Sequence, residues 1–118
     1  MNFLKETMKA ISESGHTPWD ITYIGSADGY SCDWEKFKVL SDVVYDAGYG
    51  SVKVPSDLVI VFYDGQYLER REYDGSEWWE VVKPFAIPGA MFRTPITRVV
   101  AGGGEYGYRL KDLNTKKK

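Results

Sequence analysis

The spacing of hydrophobic and polar residues changes several times along the chain, and each change predicts an element. Leu4, Met8 and Ile11 recur at helical spacing with Thr7 beside them, while Lys5, Glu6, Lys9 and Glu13 fall outward, so residues 2–14 read as a short helix. Asn2 suits its cap, Gly15 the position past its last turn, and Pro18 lies beyond. Trp19 to Ile24 alternates large apolar with polar residues and predicts a first strand, followed by a turn over Gly25-Ser26-Ala27-Asp28-Gly29. Asp33 then caps a second short helix in which Trp34, Phe37 and Leu40 sit three apart, although Val39, Val43 and Val44 pull its end toward strand. Asp46 to Ser51, with two glycines around Tyr49, reads as a sharp loop.

The centre of the chain is the clearest part. Leu58 to Tyr63 is a continuous apolar run of strand length, suited to burial on both faces. Asp64-Gly65 is a strong hairpin signal, and Tyr67 to Tyr73 returns as the partner strand. Tyr67, Glu69, Arg71 and Tyr73 share one face of it, and Leu68, Arg70 and Glu72 the other. A second Asp-Gly, Asp74-Gly75, turns the chain into Glu77 to Val82, completing a three-strand meander over about residues 57–82. Pro84 and Pro88 predict a loop with limited pairing over 83–95. Ile96 to Ala101 reads as a further strand, Gly102-Gly103-Gly104 as a break, and Tyr106 to Leu110 as a last strand. The sum is an α+β fold: a small antiparallel sheet packed by an N-terminal helix and a second short helix. Residues 1–112 form one domain, and 113–118 read as a basic disordered tail.

Composition narrows the chemistry. In 118 residues, 43% are hydrophobic and 27% charged, the balance of a folded domain, so wholesale disorder is excluded. No apolar run approaches the roughly eighteen residues of a membrane span, and the start lacks the pattern of a signal peptide. The single Cys32 forms no internal disulfide, which fits a reducing, cytoplasmic setting. The single His16 argues against a His-rich metal site and against a Ser-His-Asp triad. No metal or cofactor is called for. The charge is uneven: residues 1–82 carry 7 Lys/Arg against 15 Asp/Glu, a balance of −8, and residues 83–118 carry 8 against 2, a balance of +6. An acidic body suits a basic partner; equally, the basic end could fold back on that body.

Three constellations follow. Trp78 and Trp79 point to opposite faces, so one should be core and the other an exposed anchor near Tyr67 or Tyr73. Phe92, Arg93, Arg98, Tyr106, Tyr108, Arg109 and Lys111 mix cations with rings, as a nucleotide or single-stranded nucleic acid requires, though packing in a small sheet explains the same rings. The triple glycine lacks a following helix and makes a poor phosphate cradle. Asp28, Asp33, Asp46, Asp64 and Asp74 stand beside glycines or at a cap, where turn geometry accounts for them. Cys32 has no basic neighbour to activate it, and His16 reads as a surface group at a helix end. No enzymatic activity is predicted.

Asp57-Leu58-Val59-Ile60-Val61, Tyr67-Leu68-Glu69-Arg70 and Glu72-Tyr73-Asp74-Gly75-Ser76-Glu77-Trp78-Trp79-Glu80, with Tyr45-Asp46 and Gly48-Tyr49-Gly50 upstream, resemble a family of small phage and prophage proteins of Gram-positive bacteria. The likeness covers residues 19–82 and transfers no active site. It implies a phage accessory protein in the cytoplasm of an infected host, of a kind that inhibits host defence by occupying a protein, as anti-CRISPR proteins do. On that reading Asp64, Glu69, Glu72, Asp74, Glu77 and Glu80 meet a basic surface of a CRISPR effector, and Tyr73, Trp78 and Trp79 anchor the contact. Two alternatives stay open: a sponge for a nucleotide immune signal, built between subunits of a homo-oligomer from the basic residues above, and a virion or assembly component.

Overall fold

The side chain of Asn2 accepts a hydrogen bond from the Lys5 amide at 2.9 Å and starts α1, Phe3–Glu13. The computed structural model describes residues 2–45, 53–73, 76–82, 87–102 and 109–115. After α1 comes a 3₁₀ turn, Pro18–Asp20, then β1 (Ile21–Gly25), β2 (Tyr30–Cys32) and α2 (Trp34–Ser41). The meander is β3 (Val59–Phe62), β4 (Tyr67–Tyr73) and β5 (Ser76–Val82). A second 3₁₀ turn, Ala90–Phe92, leads to β6 (Thr94–Pro95), and α3 spans Leu110–Asn114. The sheet order is β5-β4-β3-β1-β2-β6, antiparallel except for the β2–β6 pair.

This is the predicted α+β fold, with the meander, the N-terminal helix and the Asp33-capped helix in place. Every residue of β3 is buried, as its unbroken apolar run requires. Ile60 and Phe62 face inward with Ile24 and Leu68 against Phe3, Ile11 and Phe37 of the helices. Val59 and Val61 face outward with Tyr23 and Tyr67. Gly65, at φ 91°, closes the β3–β4 turn by donating to the Phe62 carbonyl at 3.0 Å.

Four expectations change. The buried stripe of α1 holds Thr7 and Ile11 as expected, but with Phe3 in place of Leu4 and Met8; Met8 is exposed because the ring of Phe3 is the larger group to bury and turns the helix toward it. Trp19 lies in the 3₁₀ turn rather than in β1, since Pro18 opens a helical turn more readily than a strand. The strand after the proline loop is Thr94–Pro95; Ile96, Val99 and Ala101 are buried without joining the sheet. That strand closes on β2 only because residue 29 is glycine: at φ 105°, a Cβ there would sit 1.8 Å from the Phe92 carbonyl oxygen. Finally, the chain end is helical: Leu110, expected to close a last strand, opens α3, and residues 113–115 are not a tail. Leu113 is buried in α3, and the Asn114 side-chain oxygen accepts from the Thr97 and Arg98 amides at 2.6 and 2.9 Å. The Asp46–Ser51 loop, the Asp74-Gly75 turn, Gly103 and Gly104, the 106–108 part of the last strand and residues 116–118 lie outside the described residues.

Candidate interaction surfaces

The β4–β5 ladder pairs Arg70 with Trp79, Arg71 with Trp78, Glu72 with Glu77 and Glu69 with Glu80. The pleat sends Leu68, Arg70, Glu77 and Trp79 inward. Arg70 is the centre of that face, its side chain 2% exposed. One guanidinium nitrogen is 3.0 Å from Glu6 Oε2, and the other is 3.0 Å from the Tyr45 hydroxyl and 3.6 Å from Glu77 Oε1. The Tyr45 hydroxyl in turn donates to Glu6, and burial holds its pKa well above the usual phenol range. The guanidinium carbon lies 5.1 Å from the centre of the Phe3 ring and 4.9 Å from that of Trp79, beside the stacked pair of rings. Glu77 also accepts from the Lys53 and Val54 amides at 2.8 and 3.0 Å, tying the approach to β3 onto β5.

Glu77 therefore leaves the expected acidic surface: its side chain is 1% exposed and committed to Arg70. Trp79 leaves it as well, stacked on Phe3 with its indole N–H donated to Thr7 Oγ1 at 3.0 Å. A signal for both was present in the alternation. Leu68 must point inward, so Arg70 two residues on shares its face, and an arginine there requires a carboxylate and rings around it.

The outward face keeps part of the set. Trp78 is 39% exposed and donates to Glu80 Oε1 at 3.1 Å, and Tyr73 is 76% exposed. Glu80 is exposed on this face and Glu69 is half-buried and paired with Arg71, while Glu72, exposed at the strand end, lies across from Glu77 on the opposite face. Asp74 lies outside the described residues. Asp64 is at the opposite end of the meander, in the β3–β4 turn, and does not join this patch.

Asp64 instead meets His16, whose Nε2 is 2.9 Å from its carboxylate. His16 is no surface cap. It is buried, its ring parallel to Phe62 with centres 3.9 Å apart, because the turn after α1 lays it on the end of β3. Its Nδ1 is 3.0 Å from Ser14 Oγ, so the three residue types of a hydrolase triad do stand in a row. The Ser14 hydroxyl, however, lies closer to the Ile11 carbonyl, at 2.7 Å, and gives its one proton there. The row works as a latch between α1 and the hairpin turn, with the His16 hydrogen bond holding Asp64 below the usual carboxylate range.

The basic candidates are dispersed over separate contacts. Arg93 lies over the Tyr23 ring, 5.2 Å from its centre, and donates to the Pro88 carbonyl at 3.0 Å. Arg98 reaches the Leu113 carbonyl at the end of α3, and Arg109 pairs with Asp112 at 3.4 Å. Phe92 is exposed beside Arg93; Tyr106 and Tyr108 lie outside the described residues. Burial pushes the Cys32 thiol up to about 12, which keeps it protonated and unreactive at neutral pH. Among the described residues no group of three or more His, Cys, Asp or Glu could hold a metal ion, and no helix is long and apolar enough to cross a membrane.

One aromatic site went unread in the sequence. Trp19 is 95% exposed, and with Pro18, Ile21, Trp34, Glu35 and Lys38 it lines a cleft of about 420 Å³. Pro18 ahead of Trp19 was the available signal that this tryptophan stands on a turn. Compared with protein-family models, with curated proteins and with solved structures, the chain finds no match.

Proposed function

We propose that this chain acts by binding a basic surface of a macromolecular partner through the outward face of β4 and β5. The observation that carries the reading is the grouping there of two exposed rings, Tyr73 and Trp78, with the exposed carboxylate of Glu80 and the half-buried one of Glu69 on a seven-residue strand pair. Tyrosine and tryptophan supply large contact area at low entropic cost, and flanking carboxylates steer a cationic partner and set the on-rate. The resemblance to phage and prophage proteins names the partner class: a component of bacterial defence with a basic nucleic-acid groove, a CRISPR effector being the leading case.

The test is titration of the protein against a purified guide-RNA-loaded CRISPR nuclease, with cleavage of target DNA as the readout. Charge reversal at Glu69 and Glu80 together should weaken inhibition about tenfold or more and flatten its salt dependence. Trp78→Ala should shorten the residence time. Glu77 is left unchanged, since reversing it would unfold the inner network. Full inhibition by the reversed protein would sink the acidic-face reading.

A further inference from the structure

The geometry points to a second binding site, at the corner where the 3₁₀ turn meets α2: we propose that the cleft between Trp19 and Trp34 takes a proline-rich peptide in the polyproline II conformation. It lies on other elements than the β4–β5 face, and its test is independent of the function proposed above.

A fully exposed indole would mean little on a loose loop, but the backbone that carries Trp19 is held rigidly. Pro18 fixes the backbone at the start of its turn, and the Thr17 amide donates to Asp20 Oδ2 while the Asp20 amide donates to the Thr17 carbonyl, both at 2.9 Å. The Asp20 carbonyl also accepts from the Tyr63 amide at 2.9 Å, which fastens the turn to the end of β3. Across the cleft, Trp34 opens α2 and is half-buried, stacked on Phe37 with ring centres 5.7 Å apart. The indoles of Trp19 and Trp34 thus flank a recess walled by Pro18 and Ile21, of a size that accommodates a short stretch of peptide.

The hydrogen-bonding capacity of the cleft selects its occupant. The indole N–H groups of Trp78 and Trp79 are given to Glu80 and Thr7. Those of Trp19 and Trp34 have no acceptor among the described residues, so the residues that line the cleft bring apolar walls and two uncommitted donors. A polyproline helix is the matching ligand: it presents apolar rings and solvated carbonyl acceptors, and proline has no amide N–H to leave unsatisfied. Its ordering cost is low because the conformation is already formed, which is how aromatic-lined grooves bind such segments. Glu35 on the rim, its side chain 79% exposed, pairs with Lys38 at 3.1 Å. A surface pair of this kind is weak, and an arginine of the peptide would readily take its place.

The probe is a fluorescein-labelled peptide of nine prolines followed by arginine, read by anisotropy and by tryptophan emission, with a Gly-Ser peptide of equal length and charge as control. Saturable binding of the proline peptide alone, weakened at least tenfold in Trp19→Ala and partly retained in Trp19→Phe, is the result expected. The melting temperature should not move, since the Trp19 ring supports nothing beneath it. No saturation at millimolar peptide, or equal binding of the Gly-Ser control, would overturn the assignment. So would a dimer in sedimentation, formed without peptide and abolished by Trp19→Ala, which would make the cleft a self-interface.

Discussion

The two faces of the β4–β5 ladder are built by alternate residues of the same two strands, and their charges meet opposite fates. Inward, Arg70, Glu77 and Trp79 form a closed set with Glu6, Tyr45, Phe3 and Thr7, in which nearly every polar atom has a partner; Arg70 Nε is the exception. Outward, Glu80, Tyr73 and Trp78 face solvent, and directly opposed Glu69 and Glu80 are tolerated because water and Arg71 screen them. Charge near the sheet is thus of two kinds, one fixing how α1 sits on β4 and β5 and the other open to a partner. A count of acidic residues along the chain does not separate them. Burial does.

The sharpest way to break this contrast is Arg70→Met. It leaves the Glu77 and Glu6 carboxylates buried without their cation, and the expected loss is about 3–5 kcal/mol in urea unfolding. Adding Glu77→Gln to the same chain should recover part of that loss, because one uncompensated charge is removed with its partner. The outward counterparts, Glu80→Ala and Trp78→Ala, should each stay within about 0.5 kcal/mol of the parent protein. An Arg70→Met protein as stable as those two would mean that the inner network contributes no specific stability.

A smaller version of the same contrast compares two indole N–H groups on adjacent residues. Thr7 is wholly buried; its hydroxyl accepts from Trp79 and donates to the Phe3 carbonyl at 2.8 Å. Thr7→Val keeps the shape and strands the Trp79 donor, for an expected cost of about 1–3 kcal/mol. Removing the Glu80 carboxylate from Trp78 merely returns that donor to water. Equal effects in chemical denaturation would contradict the assignment of faces.

What the sequence disclosed follows the same division between local and distant causes. The Asp33 cap, the Asp64-Gly65 turn and the Leu58–Tyr63 run were legible because each is decided by a few consecutive residues. The pairing of β6 with β2 was not, since it depends on Gly29 meeting Phe92 across more than half the chain. Of the candidate site, the opposed fates of Trp78 and Trp79 came directly from the pleat. Glu77 was misplaced because a carboxylate in a strand reads as solvent-facing until the buried arginine on the same face of the neighbouring strand is recognised. His16 and Asp64, far apart in sequence, gave no sign of meeting.

That His16–Asp64 contact lies between the two kinds of charge, with the ring buried and the carboxylate partly open to water, and it supplies the mildest test. The hydrogen bond from His16 lowers the Asp64 pKa in the folded protein relative to the unfolded chain. A depressed carboxylate contributes stability that is fully present above its unfolded pKa, about 3.9, and that is lost as pH falls through the lower, folded value. Asp64→Asn should therefore reduce the melting temperature at neutral pH, and the two melting curves should converge in strong acid. Glu80→Ala, made on the outward face, should leave the acid limb parallel to that of the parent. A constant offset between Asp64→Asn and the parent at every pH would show that the side chain matters for the turn, through its 3.1 Å bond from the Gln66 amide, and not for the charge it presents to His16.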